Sequence, residues 1–203
     1  MTTTTNPLIR PDEILDLGEY ERRRDTIRKS AMQARALRRI HLGPNATIAF
    51  ENRETILYQI HEMCRAERLA KPDQVAHEIE TYAELLPSSR ELAGTLLIEF
   101  PEKEERDQRL RELLGLEDHL RIDVDGVRSK AVFDKRQIDV ERLSSVQFLR
   151  FALSDEQRQA LAEGKNVILL ADHVGYRHET KLPPEIVQAL SDDLTEIESV
   201  ERG

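Results

Sequence analysis

Apolar residues recur at intervals of three and four along several stretches of the chain, which is the period of one face of an α-helix. Proline opens three of these stretches, at Pro11, Pro72 and Pro183–Pro184, and acidic residues follow Pro11 and Pro72. Glycine closes two others, at Gly115 and Gly164. The pattern predicts helices over residues 13–38, 53–70, 72–86, 102–114, 155–163 and 184–194.

Shorter runs are either continuously apolar or alternate between apolar and polar residues, and such runs predict strands. Turn sequences separate two pairs of runs, and Asp125–Gly126 is among the stronger short-range signals for a β-hairpin. The strands do not alternate regularly with helices, which argues against a doubly wound parallel sheet. We therefore expect an α+β fold: a mainly antiparallel sheet of about six or seven strands, helices packed on one face, and an N-terminal helical section. The runs lie at 40–43, 46–52, 92–100, 119–124, 126–133, 145–153 and 166–173, and the segment 176–182 can pair back.

The length and composition fit one domain with a core of its own. The chain has 203 residues, of which 39% are hydrophobic and 34% charged. Only 4% are aromatic and tryptophan is absent, so the core must consist mainly of Leu, Ile, Val and Ala. We expect a flexible tail over 1–10, a single α+β domain over 11–195 and a frayed C-terminus over 196–203.

Composition also excludes several classes of protein. A net charge of -9 argues against general nucleic-acid binding, which needs an excess of Lys and Arg. A single cysteine, Cys64, excludes an intramolecular disulfide framework and a Cys-based metal cluster within one chain. No apolar run approaches the ~20 residues of a membrane span, and the N-terminus lacks the apolar core of a secretion signal. We expect a cytoplasmic protein.

The segment 50–67, FENRETILYQIHEMCRAE, places polar side chains on or beside the apolar stripe of its predicted helix. Arg53 and Glu67 fall on the stripe, and Gln59 flanks it. A charge that faces a core needs a partner, because an isolated buried charge costs several kcal/mol. Such pairs can be purely architectural, or they can form part of a binding site. The candidates for a ligand or interface network are Arg53, Gln59, Glu62, Arg65 and Glu67.

The segment 171–180, ADHVGYRHET, concentrates reactive side chains at the end of a predicted buried strand. If the second half is a strand, Tyr176 and His178 share one of its faces. Histidine is the side chain that exchanges a proton or binds a metal near neutral pH. A solvated polar hairpin is the alternative explanation. The catalytic candidates are His173, Tyr176, Arg177 and His178.

No complete catalytic or metal-binding motif is present. His61–Glu62 and His77–Glu78 begin like a His-Glu-x-x-His zinc motif, but Arg65 and Thr81 stand where the second histidine is needed. No motif indicates a cofactor, and the alternative is a divalent metal held by ligands assembled in space. The candidate metal ligands are His173, His178, Glu51 and Glu62.

The segment from Glu21 to Arg39 carries eight basic and two acidic residues in an otherwise acidic chain. Its Arg22–Arg39 portion could bind RNA, or could pair with acidic residues of the same chain or of a second subunit. No aromatic residues are interleaved with the arginines for base stacking, so nucleic acid is the weaker alternative.

Several motifs resemble domain-of-unknown-function family 3501, a bacterial family. Its members read approximately F-E-(N/D)-R-x-T-x-x-x-Q-(I/V)-x-E-M-x-R-x-E, which residues 50–67 match. LAGTLLIEFP, VQFLRFAL and DHVGYRHE also resemble that family, in the same order, and the likeness extends over about residues 12–194. Gln147 departs from a position where the family often has histidine, and Val174–Gly175 stand where proline often follows His173.

Two function hypotheses from different classes follow. The resemblance implies a role beside rubrerythrin-like and heterodisulfide-reductase-like iron–sulfur proteins, in peroxide handling or electron transfer during oxidative stress. The first hypothesis is accordingly a cytoplasmic accessory or binding protein, expected to be a homodimer, with an iron–sulfur or rubrerythrin-like partner. The alternative is a metal-dependent enzyme or metal-binding redox protein that uses His173, His178 and a carboxylate.

Overall fold

An antiparallel sheet of eight strands organises the computed structural model, which describes residues 9–134, 136 and 141–202. The strands lie in the order β1-β2-β3-β6-β5-β4-β7-β8, and every neighbouring pair is antiparallel. The α+β class and the antiparallel sheet are therefore confirmed. The strands are β1 (Arg39–Leu42), β2 (Ala46–Phe50), β3 (Glu91–Ile98), β4 (Leu120–Val124), β5 (Val127–Phe133), β6 (Val146–Ala152), β7 (Val167–His173) and β8 (Tyr176–Lys181).

The sheet curls until its two end strands meet. The Thr180 hydroxyl of β8 donates to the His41 carbonyl of β1 at 2.8 Å, and the Tyr176 hydroxyl donates to the Leu42 carbonyl at 2.6 Å. Strand β5 turns the sheet, because its first half pairs with β4 and its second half with β6. The result is nearly a closed barrel, in which alternate side chains face the inside.

The inner face of the sheet carries the main hydrophobic core. Alternate residues of each strand are buried there, among them Ile48, Leu96, Ile122, Phe151 and Leu169. This period of two is the one that the apolar alternation predicts. Because these residues are aliphatic or phenylalanine, the core fits the composition expected from the sequence.

Three helices share this inner core. They are α4 (Lys103–Glu112), α5 (Asp155–Ala162) and α6 (Pro184–Arg202). Leu110 of α4, Leu161 of α5 and Leu190 of α6 pack in the same cluster as the strand residues. These three helices therefore pack on one face of the sheet, as expected from the sequence.

The N-terminal helices form a second layer with a smaller core. They are α1 (Leu17–Ala36), α2 (Arg53–Glu67) and α3 (Pro72–Ala83), and α2 contacts both of the others. Ile56, Ile60 and Cys64 of α2 pack there against Ile79 of α3 and Ile197 of α6. Since α6 contributes to both cores, it joins the helical layer to the sheet.

A buried polar network reinforces that junction. Arg38, just after α1, donates through Nε and Nη2 to the two carboxylate oxygens of Asp193 on α6, each at 2.7 Å. The amide of Asn52 donates to the same carboxylate at 2.9 Å and also caps α2 by accepting from the Thr55 N–H. These groups are almost fully buried, and they fix the start of α2 against α6.

Several boundaries differ from those predicted. The sheet has eight strands, not six or seven, because 176–181 forms a full strand on β7. Helix α1 begins at Leu17, after a separate 3-10 turn over Pro11–Glu13, and α2 ends at Glu67 because Arg68 is left-handed, with φ 54°.

The two ends of the chain also differ from the prediction. Helix α6 continues to Arg202 instead of fraying from 196, since Ile197 is buried. Ile9 is buried although it belongs to the predicted tail, and the rest of that tail up to 8, together with 203, lies outside the described residues. No helix in the described ranges combines the length and hydropathy required to cross a membrane.

Candidate functional site

The polar side chains of α2 bond mainly to α1. The Glu62 carboxylate accepts hydrogen bonds from Nε and Nη2 of Arg24, each at 2.8 Å, and from the Tyr20 hydroxyl at 2.7 Å. The Arg24 guanidinium lowers the pKa of Glu62 to about 2, against the opposing effect of burial, and the bond from Tyr20 acts in the same direction as Arg24. Burial, together with that bond, raises the pKa of Tyr20. Glu62 therefore holds the two helices together as a carboxylate.

The remaining members of the predicted network also have structural partners or face solvent. Arg65 donates to Glu21 of α1 at 2.8 Å, and Gln59 accepts from Arg35 at 3.1 Å. Glu67 is the last residue of α2 and is exposed, so the apolar stripe reaches solvent at this end of the helix. Arg53 pairs with Glu13 of the 3-10 turn. A ligand or interface role for these residues stays a prediction, whereas the bonds of Gln59, Glu62 and Arg65 with α1 are evident.

A buried histidine, His61, lies in the same layer, and in the sequence it stood out only as the start of an incomplete zinc motif. His61 donates through Nδ1 to the Leu57 carbonyl at 2.8 Å and accepts at Nε2 from the Leu15 N–H at 3.0 Å. Its ring stacks on Tyr20, with centroids 4.7 Å apart. Burial lowers the pKa of His61, and both ring nitrogens are used in the neutral form.

Many basic residues of the segment Glu21–Arg39 are engaged in ion pairs or ring contacts within the chain. Arg38 pairs with a buried carboxylate and Arg24 with a half-buried one, and Arg35 lies over the Tyr58 ring, 5.3 Å from its centroid. Arg28 and Lys29 are exposed. The segment thus pairs largely with its own chain, which was one of the alternatives that its charge left open. The further pairs are Arg22 and Arg23 with Glu19, and Arg39 with Glu99.

Tyr176 closes the seam between β8 and the β1–β2 turn. Besides donating to Leu42, its hydroxyl accepts from the N–H groups of Asn45 and Ala46, at 3.1 and 3.0 Å. Burial raises the pKa of this hydroxyl, which those two N–H bonds partly offset. All these contacts are with backbone, so Tyr176 is placed to organise the turn.

The two histidines of the segment 171–180 contact different residues. His173 is buried, donates from Nε2 to the Leu114 carbonyl at 3.1 Å and accepts at Nδ1 from the Gly175 N–H at 3.1 Å. His178 packs its ring edge on Tyr176, with centroids 4.5 Å apart. Arg177 is exposed.

The candidate metal ligands are not brought together. Glu62 lies between α1 and α2, Glu51 precedes α2, and both nitrogens of His173 bond to backbone. Within the described ranges, no group of three or more His, Cys, Asp or Glu side chains could hold a metal ion. A surface cluster that sequence reasoning missed, in which His119 and Arg121 both bond to Asp172, involves one carboxylate only.

A cleft of ≈ 430 Å³ lies on the outer face of the sheet, over β3, β6 and β5. We call it the outer-face cleft. Its floor is formed by neighbouring residues of three strands, since Thr95 pairs with Phe148 and Arg150 pairs with both Ala93 and Val132. Its lining is Glu51, Glu84, Leu85, Ala93, Gly94, Thr95, Val132, Phe133, Asp134, Arg136, Phe148, Leu149 and Arg150.

Glu51 enters the cleft from the link between β2 and α2. Its N–H donates to the Ala93 carbonyl at 2.9 Å, which fixes the backbone on β3. Its carboxylate accepts from the Thr55 hydroxyl at 2.8 Å and, more weakly, from the Thr95 hydroxyl at 3.4 Å. The cap residue Asn52 follows directly and is held by Asp193. The position of Glu51 therefore depends on the buried network that joins the helical layer to α6.

Sequence reasoning selected Glu51 but missed the rest of this cleft. Val132 is 61% exposed, although it lies in a strand whose alternate residues are core. Phe148 stands between Gln147 and Leu149, which are buried on the inner face, and so points outward. The sequence did contain a signal for the cleft. Val132 and Phe148 are apolar residues at strand positions that alternate with core residues, whereas the outer face of an antiparallel sheet is usually polar.

Comparison with known proteins gives a family and a fold. No curated protein sequence matches the chain. A crystal structure described as a novel protein of unknown function, from Burkholderia pseudomallei K96243, is similar over 92% of this chain and 98% of that one, with 29% sequence identity and a TM-score of 0.85. The model of the family described as protein of unknown function (DUF3501) matches residues 8–194, which confirms the resemblance seen in the sequence. The chain therefore belongs to the DUF3501 family.

Proposed function

We propose that this protein acts by binding a partner protein through the outer-face cleft. The observation that carries the proposal is the floor of that cleft, where Val132 and Phe148 face outward on paired strands. A cavity of this size is large enough to receive one or two side chains of a partner, and anchor side chains in such pockets carry much of the binding energy of an interface. An exposed valine there gains from being covered, since burial of apolar surface is favourable.

The bonds of the other candidate residues support a binding role over catalysis. Glu62, Tyr176 and His173 each use their polar atoms on neighbouring helices or on backbone. A catalytic group needs an atom that can reach a substrate. Glu51 differs from them, because its carboxylate lies in the wall of an open cleft.

The partner class comes from the family resemblance. The proteins implied are rubrerythrin-like and heterodisulfide-reductase-like iron–sulfur proteins, so the proposed role is that of an accessory protein in peroxide handling or electron transfer. In that role the partner carries the metal cofactor, and this chain contributes a binding surface.

Calorimetric titration against both candidate partners, each purified from the same organism, tests the proposal. Val132→Arg places a charge on the cleft floor while the residue stays exposed enough for the fold to accept it. Val174→Arg, at a residue that is 82% exposed and outside the cleft lining, is the matched control. We expect Val132→Arg to weaken binding at least tenfold, about 1.4 kcal/mol, and Val174→Arg to leave it unchanged.

Two results would count against the proposal in different ways. Equal affinities for the wild type and Val132→Arg would move the binding surface away from the cleft. Absence of binding to either candidate would remove the partner class. Circular dichroism of both variants shows whether the fold is intact.

A further inference from the structure

The outer-face cleft contains a carboxylate to which, among the described residues, only hydroxyl groups donate. Glu51 is half-buried and accepts from Thr55 and Thr95. Within the described ranges no Lys or Arg side chain bonds to it, and the contacts of its carboxylate leave room for further donors, since each oxygen can accept two. A half-buried carboxylate gains when a cation supplies the missing donors.

The two guanidinium groups of the cleft are already engaged. Arg136 donates to Asp134 at 2.7 Å and to Glu84 at 2.9 Å. Arg150 pairs with Glu91 and also donates to the carbonyl of Glu84. Because these cations are neutralised by carboxylates of the chain, they offer little to an anionic ligand. The described lining is also acidic on balance, since Glu51, Glu84 and Asp134 face two arginines.

Apolar surface lies beside this carboxylate. Thr95, which bonds to Glu51, is the cross-strand neighbour of Phe148. Val132 lies on the next strand of the floor. A ligand with an apolar chain and a terminal cation can therefore cover the floor with the chain and bring the cation to Glu51.

We propose that the outer-face cleft selects an alkylammonium group, supplied by a lysine side chain of the partner protein. This inference rests on the proposed function and adds the chemistry that recognition uses. Lysine combines a four-carbon apolar stem with a compact ammonium that carries three donors. The stem lies on the cleft floor, and the ammonium donates to the Glu51 carboxylate.

Three probes that share one apolar chain test the head group independently of the partner. Hexylammonium, hexanol and hexanoate are titrated at neutral pH into isotopically labelled protein, and binding is followed by the amide NMR signals of β3, β5 and β6. We expect hexylammonium to bind about tenfold more tightly than hexanol and hexanoate to bind most weakly.

Glu51→Gln gives the matched variant, because its amide oxygen still accepts from Thr55 while the charge is removed. Glu156→Gln, at an exposed carboxylate of α5 outside the cleft, is the control. Glu51→Gln should abolish the preference for hexylammonium over hexanol, and Glu156→Gln should keep it. Acetylation of the partner's lysines should weaken its binding to the wild type about tenfold and to Glu51→Gln not at all.

Three outcomes would overturn the inference. Equal binding of the three probes at the cleft would remove the cation selectivity while leaving the cleft as a binding site. Signal changes that avoid the cleft, or no binding of hexylammonium, would reject the alkylammonium site. A partner that binds equally well after acetylation would exclude lysine as the source. The proposed function itself is decided separately, by the partner titration with Val132→Arg.

Discussion

Replacement of Asp193 by alanine is the strongest test of how the two layers of this fold are joined. Asp193 accepts two bonds of 2.7 Å from Arg38 and one of 2.9 Å from Asn52, and its side chain is only 6% exposed. In Asp193→Ala the Arg38 guanidinium stays buried and loses its counter-charge. The amide of Asn52 loses an acceptor as well.

The expected cost follows from this geometry. Removal of one partner of a buried ion pair costs about 3–5 kcal/mol, and an unpaired buried amide donor adds about 1 kcal/mol. Arg38 keeps its bond to the Ala34 carbonyl at 2.7 Å, which favours the lower part of that range. We expect Asp193→Ala to lower the free energy of unfolding by about 4 kcal/mol.

Urea unfolding followed by circular dichroism measures the effect. Asp192→Ala is the matched control, since Asp192 is the exposed neighbour on the same helix and, in the part of the chain that the structure describes, bonds only to Gln188. It should cost less than about 0.5 kcal/mol.

Because the single variant can fail to fold, the double variant Arg38→Met/Asp193→Leu provides a second comparison. It should recover most of the loss, since no buried charge remains. A cost for Asp193→Ala below about 1 kcal/mol, or equal to that of Asp192→Ala, would refute the importance of the buried pair.

Three further predictions concern single residues. Because the pKa of His61 is lowered in the folded state, the unfolded state takes up a proton first as the pH falls below about 6.5. The contribution of His61 to stability should therefore be complete above that pH and decrease below it. Urea midpoints measured from pH 8 to 5 should depend less on pH in His61→Gln than in the wild type. A Cβ at position 94 would lie 2.9 Å from the Ala49 carbonyl oxygen, so Gly94→Ala should lower the thermal midpoint through a backbone shift costing about 1–3 kcal/mol, and an unchanged midpoint would contradict the close approach of β2 and β3 at this residue. Tyr176→Phe leaves the Leu42 carbonyl and two N–H groups without their partner, and it should cost about 1–3 kcal/mol in urea unfolding, with a stability equal to that of the wild type contradicting the role in the turn.

Much of the fold could be predicted from local sequence. The Asp125–Gly126 hairpin is confirmed, since both residues have positive φ, 50° and 91°, as the tight turn requires. The alternation in β4, β6 and β7 fixes which side chains face the core. These features depend on neighbours in the chain, so the sequence contains the information needed to predict them.

Other features depend on contacts between distant residues and could not be predicted. Glu62 was selected as a member of the polar network of its helix, but its partner Arg24 lies on another helix, 38 positions earlier in the chain. The cleft is assembled from Glu51 and three strands whose order places β6 between β3 and β5. Chain order alone does not reveal that juxtaposition, even though the outward apolar residues were visible.

Photo-crosslinking from the cleft floor tests the central claim most directly. Cys64 is buried, so a benzophenone maleimide can be directed to Val132→Cys, or to Val174→Cys as the control. Each labelled protein is mixed with the purified rubrerythrin-like and iron–sulfur candidates and illuminated. We predict a specific crosslink from position 132 to one candidate and none from position 174. Equal crosslinking from both positions, or from position 174 alone, would contradict binding through the outer-face cleft.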